Sequence, residues 1–171
     1  LNHYLYSGVG EKEAKAMTDE MLVKMAGLCA GAEQCSADIR AKILKAGFTA
    51  DVAHQMLEYL KTNRYIDDSR YARAYASDKV RFSGWGRRKV MMGLRSKMMS
   101  DSVIAQALGS VKESDYQEAL RKALVAKARS LDLQDVKDRQ KLYRHLASRG
   151  FESPIIVATI RTYMKSHGKE E

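Results

Sequence analysis

The chain has 171 residues, 45% hydrophobic and 30% charged, the balance of an ordinary soluble fold with enough apolar surface for a core. One proline and eleven glycines are too few turn residues for a sandwich or barrel, and the abundant alanine, leucine, methionine, lysine and arginine favour helix. The net charge of +9 is concentrated: residues 61–97 hold eleven basic and three acidic groups, whereas residues 1–60 carry a net −2. A local excess of this kind is the footprint of a polyanionic partner.

Residues 1–17, with Gly8, Gly10 and no sustained period, read as a flexible N-terminal tail. A first helix is expected over roughly 18–30, with Thr18 as its N-cap. Ser36, Thr49, Ser100 and Ser153 are the further N-cap candidates, each three residues before an apolar position, and Pro154 suits the first turn of the last helix. Gly47 and Gly150 stand where helices should stop.

The pattern Ile39, Ile43, Gly47, Phe48, Val52, Leu57 returns as Val90, Leu94, Met98, Met99, Val103, Leu108. It returns again as Leu142, Leu146, Gly150, Phe151, Ile155, Ile160, at offsets of 51 and 52 residues. Each copy is a helix, a tight turn and a second helix, and a leading helix precedes each, over roughly 18–30, 67–82 and 114–130. The fold class is therefore all-α: three tandem three-helix repeats, nine helices in an elongated array of helix-turn-helix-like units. The expected divisions are repeat 1 at 18–66, the basic repeat 2 at 67–112, repeat 3 at 113–166 and a C-terminal tail at 167–171. Ile43, Leu94 and Leu146 fall at equivalent core positions.

Within repeat 2, Tyr71, Ala72, Tyr75 and Ala76 share one helical face, and Arg70, Arg73, Ser77 and Arg81 the opposite one. In the next helix Val90, Met91, Leu94 and Met98 form the expected buried stripe, flanked by Arg88, Met92, Arg95 and Met99. Gly84-Trp85-Gly86 lies between the two helices as a sharp turn, without the spacing of a phosphate loop. Asp67-Asp68 stands at a helix start, where carboxylates cap free amides.

Catalytic constellations are absent, so no enzyme activity and no cofactor are expected. His3, His54, His145 and His167 are scattered, and Cys29 and Cys35 alone close no zinc site. Two cysteines make no disulfide framework, which points to a reducing compartment, the bacterial cytoplasm being the simplest address. The longest runs without a charge are ten residues, half of what a membrane helix needs.

The candidate binding residues are Arg70, Arg73, Arg81, Trp85, Arg87, Arg88, Lys89 and Arg95. Guanidinium groups pair bidentately with phosphates and carboxylates, and an indole can stack on a base or anchor a protein interface.

Tyr65-Ile66-Asp67-Asp68-Ser69-Arg70-Tyr71-Ala72, followed by Arg81, Gly84, Gly86, Val90 and Leu94, resembles the signature of the RecX family, bacterial regulators of the RecA recombinase. The resemblance covers residues 18–166. It implies a monomeric, non-catalytic protein that binds RecA filaments on single-stranded DNA without sequence preference. It further implies restraint of RecA's ATP hydrolysis, strand exchange and co-protease activity, and so modulation of recombination and the damage response. Gly93, and Met98-Met99 in place of a glycine and an aliphatic residue, depart from the family pattern. A helix-turn-helix transcription factor and a scaffold docking on an acidic protein are the alternatives; few Asn or Gln side chains over 86–98 serve to read bases.

Overall fold

All three repeated turns close in the same way in the structure, a computed structural model describing residues 11–167. The amides of Phe48, Met99 and Phe151 donate to the carbonyls of Ile43, Leu94 and Leu146 at 3.4, 3.2 and 3.3 Å. The preceding amides of Gly47, Met98 and Gly150 donate to Leu44, Arg95 and Ala147. This is the double bond of a Schellman cap, which needs a left-handed residue, and Gly47, Met98 and Gly150 have φ of 93°, 59° and 91°. The next residue in each case turns inward, at 8%, 9% and 0% exposure. Contrary to what its helical spacing predicts, Met98 is therefore not part of the buried stripe: it is 82% exposed, and Met99 is the buried one. The helix ends at Ser96, two residues before the point an extrapolated stripe assumes, and the left-handed Met98 then reverses the chain.

Nine helices occur among the described residues, with no strand. They are α1 (Glu11–Gly31), α2 (Ser36–Lys45), α3 (Ala50–Thr62), α4 (Asp68–Arg81), α5 (Arg87–Ser96), α6 (Asp101–Gly109), α7 (Glu113–Ala128), α8 (Val136–Ser148) and α9 (Ser153–His167). Thr49 and Ser100 cap α3 and α6 as expected, their hydroxyls accepting from the amides of Val52 and Val103. Two other expected caps differ. Ser36 is the first residue of α2, whose N-cap position falls one residue earlier on Cys35, and it donates its amide and hydroxyl to Asp68, at 2.8 and 2.6 Å. Ser153 opens α9 with its hydroxyl accepting from Tyr143 at 2.7 Å.

The expected tail at 1–17 is corrected over its second part. Residues 11–17 are the first turns of α1, so Thr18 lies inside a helix rather than at its cap. Glu11-Lys12-Glu13-Ala14-Lys15-Ala16-Met17 are all strong helix formers. The described side chains there face solvent, so no apolar period betrays them. Residues 1–10 and 168–171 lie outside the described residues. His167, placed in the C-terminal tail, ends α9.

The described residues form two compact units, divided between Tyr71 and Ala72. In the first, Met25, Ile39, Ile43, Phe48, Met56 and Leu60 belong to one apolar cluster joined by Ile66. Asp67 caps α4 by accepting from the amide of Arg70 at 2.9 Å, while Asp68 caps α2 across the unit. In the second, α5 packs on α6, and α8 on both α7 and α9. Leu94, Tyr116, Leu120, Leu142, Leu146, Phe151 and Ile156 are its largest side chains with no exposed surface. The equivalent positions Ile43, Leu94 and Leu146 are all fully buried.

Candidate functional site

The second unit builds its cationic surface on α4, the turn at Ser83–Gly86 and α5. Ala72, Ala76 and Val80 form the buried stripe of α4. Tyr75 and Lys79 flank that stripe on one side and Arg73 and Arg81 on the other, as spacings of three and four residues require. Trp85 joins the first flank. Its ring meets the Tyr75 ring edge-on at 6.5 Å, and the Nζ atoms of Lys79 and Lys89 stand 5.0 and 4.7 Å from the indole centre. Both ammonium groups are within reach of the ring quadrupole. Gly93 makes room for this arrangement: a Cβ there would lie 2.3 Å from the Tyr75 hydroxyl. Burial pushes the Tyr75 phenol up, with the nearby Lys97 charge opposing.

The amides that open α5 are not available to an anion. Gly86 donates to the Arg149 carbonyl at 2.8 Å, Arg88 to the Gly150 carbonyl at 3.0 Å, and Arg87 to the Tyr116 hydroxyl at 3.3 Å. The start of α5 is thus joined to the end of α8, each satisfying groups the other leaves open. Gly86 and Gly150 permit the approach, since a Cβ on Gly86 would stand 2.2 Å from the Gly150 backbone.

The eight candidate residues separate by partner. Arg87 bonds Glu113 at 2.7 Å, lies 3.5 Å from Glu152, and places its guanidinium 3.9 Å from the centre of the Tyr116 ring. Tyr116 is fully buried and its hydroxyl donates to Glu152. Burial, then that bond to Glu152, push the phenol well up. Burial pulls the Arg87 guanidinium down, but the Glu113 bond and the surrounding negative charge outweigh it. Arg87 is a tie between repeats 2 and 3. Arg81 pairs with Asp115 at 3.7 Å and Arg95 with Asp101 at 3.1 Å. Arg70 belongs to the first unit and pairs with Glu33. Lys89 sits over Trp85, while Arg73 and Arg88 are exposed and make no ion pair with the described residues. Sequence reasoning misses Lys79, although its place four residues after Tyr75 is a usable signal.

Among the described residues no group of three His, Cys, Asp or Glu could hold a metal, and no helix is long and apolar enough to cross a membrane.

Two family models match: the RecX second three-helix domain over residues 67–108 and the RecX third three-helix domain over 113–160. The regulatory protein RecX of Chlorobium limicola is 33% identical over 124 residues, 72% of this chain and 76% of that protein. The chain belongs to the RecX family. The RecX of Prosthecochloris aestuarii is 30% identical, covering 75% of this chain and 83% of that one. Against the longer RecX of Clostridium acetobutylicum, also 30% identical, the match spans 55% of the relative's length. Two crystal structures share the fold. A regulatory protein RecX aligns at a TM-score of 0.72 with 21% identity, covering 91% of this chain and 79% of that chain. RecX from Lactobacillus salivarius aligns at 0.74 with 16% identity, covering 86% and 96%. All eight candidate residues lie in the stretch matched to the second RecX domain.

Proposed function

We propose that this RecX chain binds RecA filaments on single-stranded DNA. It restrains RecA's ATP hydrolysis, strand exchange and co-protease activity, and so modulates recombination and repair. It acts in the bacterial cytoplasm as a monomer and catalyses no reaction itself. The surroundings of Trp85 carry this reading. A half-buried indole with the ammonium groups of Lys79 and Lys89 over its ring sets an aromatic anchor beside two charges that can pair with phosphates. Arg73 and Arg88, exposed and without a carboxylate among the described residues, add guanidinium groups for phosphates or RecA carboxylates. Arg81, Arg87 and Arg95 already hold carboxylates, and contribute by exchanging partners or by supporting the surface, while Arg70, paired with Glu33 in the first unit, contributes by exchanging its own partner.

The test is DNA-dependent ATP hydrolysis by RecA with rising amounts of this protein, beside single-stranded DNA binding over a salt series. Inhibition is expected, with the Trp85→Ala and Arg73→Glu/Arg88→Glu/Lys89→Glu variants folded but weaker. Every phosphate that a variant no longer neutralises takes roughly 0.7 from the slope of log affinity against log salt. Folded protein without inhibition at any ratio sinks the reading. Preference for one duplex sequence would favour a helix-turn-helix transcription factor instead.

A further inference from the structure

The first two repeats treat the opening of their second helix alike. Ser36, the first residue of α2, is bound by Asp68, the first residue of α4. Arg87, the first residue of α5, is bound by Glu113, the first residue of α7. In each repeat a carboxylate at the head of the following repeat's leading helix thus meets the head of the second helix. The offsets of 51 and 52 residues carry Ser36 onto Arg87 and Arg87 onto Arg139, which is the fourth residue of α8 because that helix starts three residues sooner, at Val136. There no carboxylate of the described residues meets it. The Arg139 guanidinium donates instead to the carbonyls of Leu133 and Gln134, at 2.8 and 2.9 Å, and makes no ion pair with the described residues.

Beside Arg139, between α8 and α9, runs an open groove of about 570 Å³. Val136, Tyr143, Val157 and Met164 line it, with Val136 56% and Val157 47% exposed. Arg161 and Lys165 edge it together with Arg139. The lining of the groove is almost wholly apolar, which suits the apolar face of a helix. Three cations without ion pairs among the described residues define the charge of that cover.

We propose that this groove receives an amphipathic helix of a partner protein that opens on a carboxylate. The carboxylate takes Arg139 as Glu113 takes Arg87, further acidic side chains meet Arg161 and Lys165, and the apolar face covers Val136 and Val157. The partner helix thereby supplies in trans the carboxylate that Glu113 gives Arg87, in the helix-in-groove manner. The groove shares no residue with the surface proposed for single-stranded DNA, so either can fail without the other.

The probe is a helix-stabilised, fluorescent peptide copying residues 113–128, the helix whose head fills the equivalent place in repeat 2. Saturable binding to the full chain is expected by fluorescence anisotropy. The affinity should fall at least tenfold in Arg139→Glu and in Val157→Asp, and about threefold in Lys165→Glu. A peptide with Glu113→Arg should bind wild type poorly and recover on the Arg139→Glu protein. Circular dichroism identifies any variant that fails to fold, and exposed Lys165 then serves as the remaining probe. Absence of saturable binding, or equal affinity for wild type and folded variants, overturns the proposal. So does concentration-dependent self-association in sedimentation that the same substitutions abolish, since it assigns the groove to a second copy.

Discussion

Gly86 lies directly against Gly150, backbone to backbone: a Cβ on Gly86 would stand 2.2 Å from the Gly150 carbonyl carbon. The contact lets the head of α5 reach the Arg149 and Gly150 carbonyls at the end of α8. Gly86→Ala should therefore destabilise the second unit by about 3 kcal/mol, at the upper end of overpacking costs, because the obstacle is backbone and cannot rotate away. Gly109→Ala, with nothing within 4 Å of the added Cβ, is the control. Chemical denaturation of both variants measures the difference.

Met98 carries a left-handed φ of 59° where the other two repeats use glycine. The conformation costs an L side chain about 1–2 kcal/mol, against the roughly 0.5–1 kcal/mol of chain entropy that glycine loses on folding. With the side chain 82% exposed, little apolar burial is at stake. Met98→Gly should stabilise the protein by up to about 1 kcal/mol, read as a higher Tm. A lower Tm would show that Met98 is not held in that conformation in solution.

Arg87 and Arg88 are neighbours with opposite expected phenotypes. Arg87→Ala takes the partner from half-buried Glu152 and the cation from the Tyr116 ring, while exposed Glu113 returns to water, and should cost about 1–2 kcal/mol of stability. Arg88→Ala should leave the denaturation curve unchanged and weaken single-stranded DNA binding. Paired denaturation and binding measurements on the two variants check this, and a reversed pattern would move the free cation to Arg87.

His145 accepts a hydrogen bond from the Arg149 side chain at 3.3 Å through Nε2, which only the neutral ring can do. Burial first, then the charges of Arg149 and Lys127, hold its pKa below the usual value of 6.5. Below about pH 6.5 the unfolded chain therefore binds a proton that the folded chain resists. Stability should fall as pH drops through 6.5 towards the lower folded pKa, then level off in this contribution. His145→Gln should flatten the curve over that window, as measured by Tm against pH. An unchanged slope would place the titrating group elsewhere. Glu113, held low by bonds from Gln117 and Arg87, adds a loss at more acidic pH, below its usual 4.5.

Local physics is what the sequence states by itself. The helical class, the spacing of 51 and 52 residues, the caps at Thr49 and Ser100 and the buried Ile43, Leu94 and Leu146 all follow from propensities and periods that act over a turn or two. The family is legible for the same reason, since the Tyr65–Ala72 stretch and the Gly84-Trp85-Gly86 turn are contiguous. Tertiary structure alone decides the partners. Arg87 and Arg88 are indistinguishable in sequence, yet one is locked by Glu113 and Glu152 from the next repeat and the other is exposed. Asp68 reads as a cap for its own helix and instead caps α2, thirty-two residues away. The left-handed Met98 is invisible to an apolar period, because its conformation is imposed by the turn it must close. Electrostatic pairing and close backbone approach depend on distances through space, and a helix face shows only which side chains are available for them.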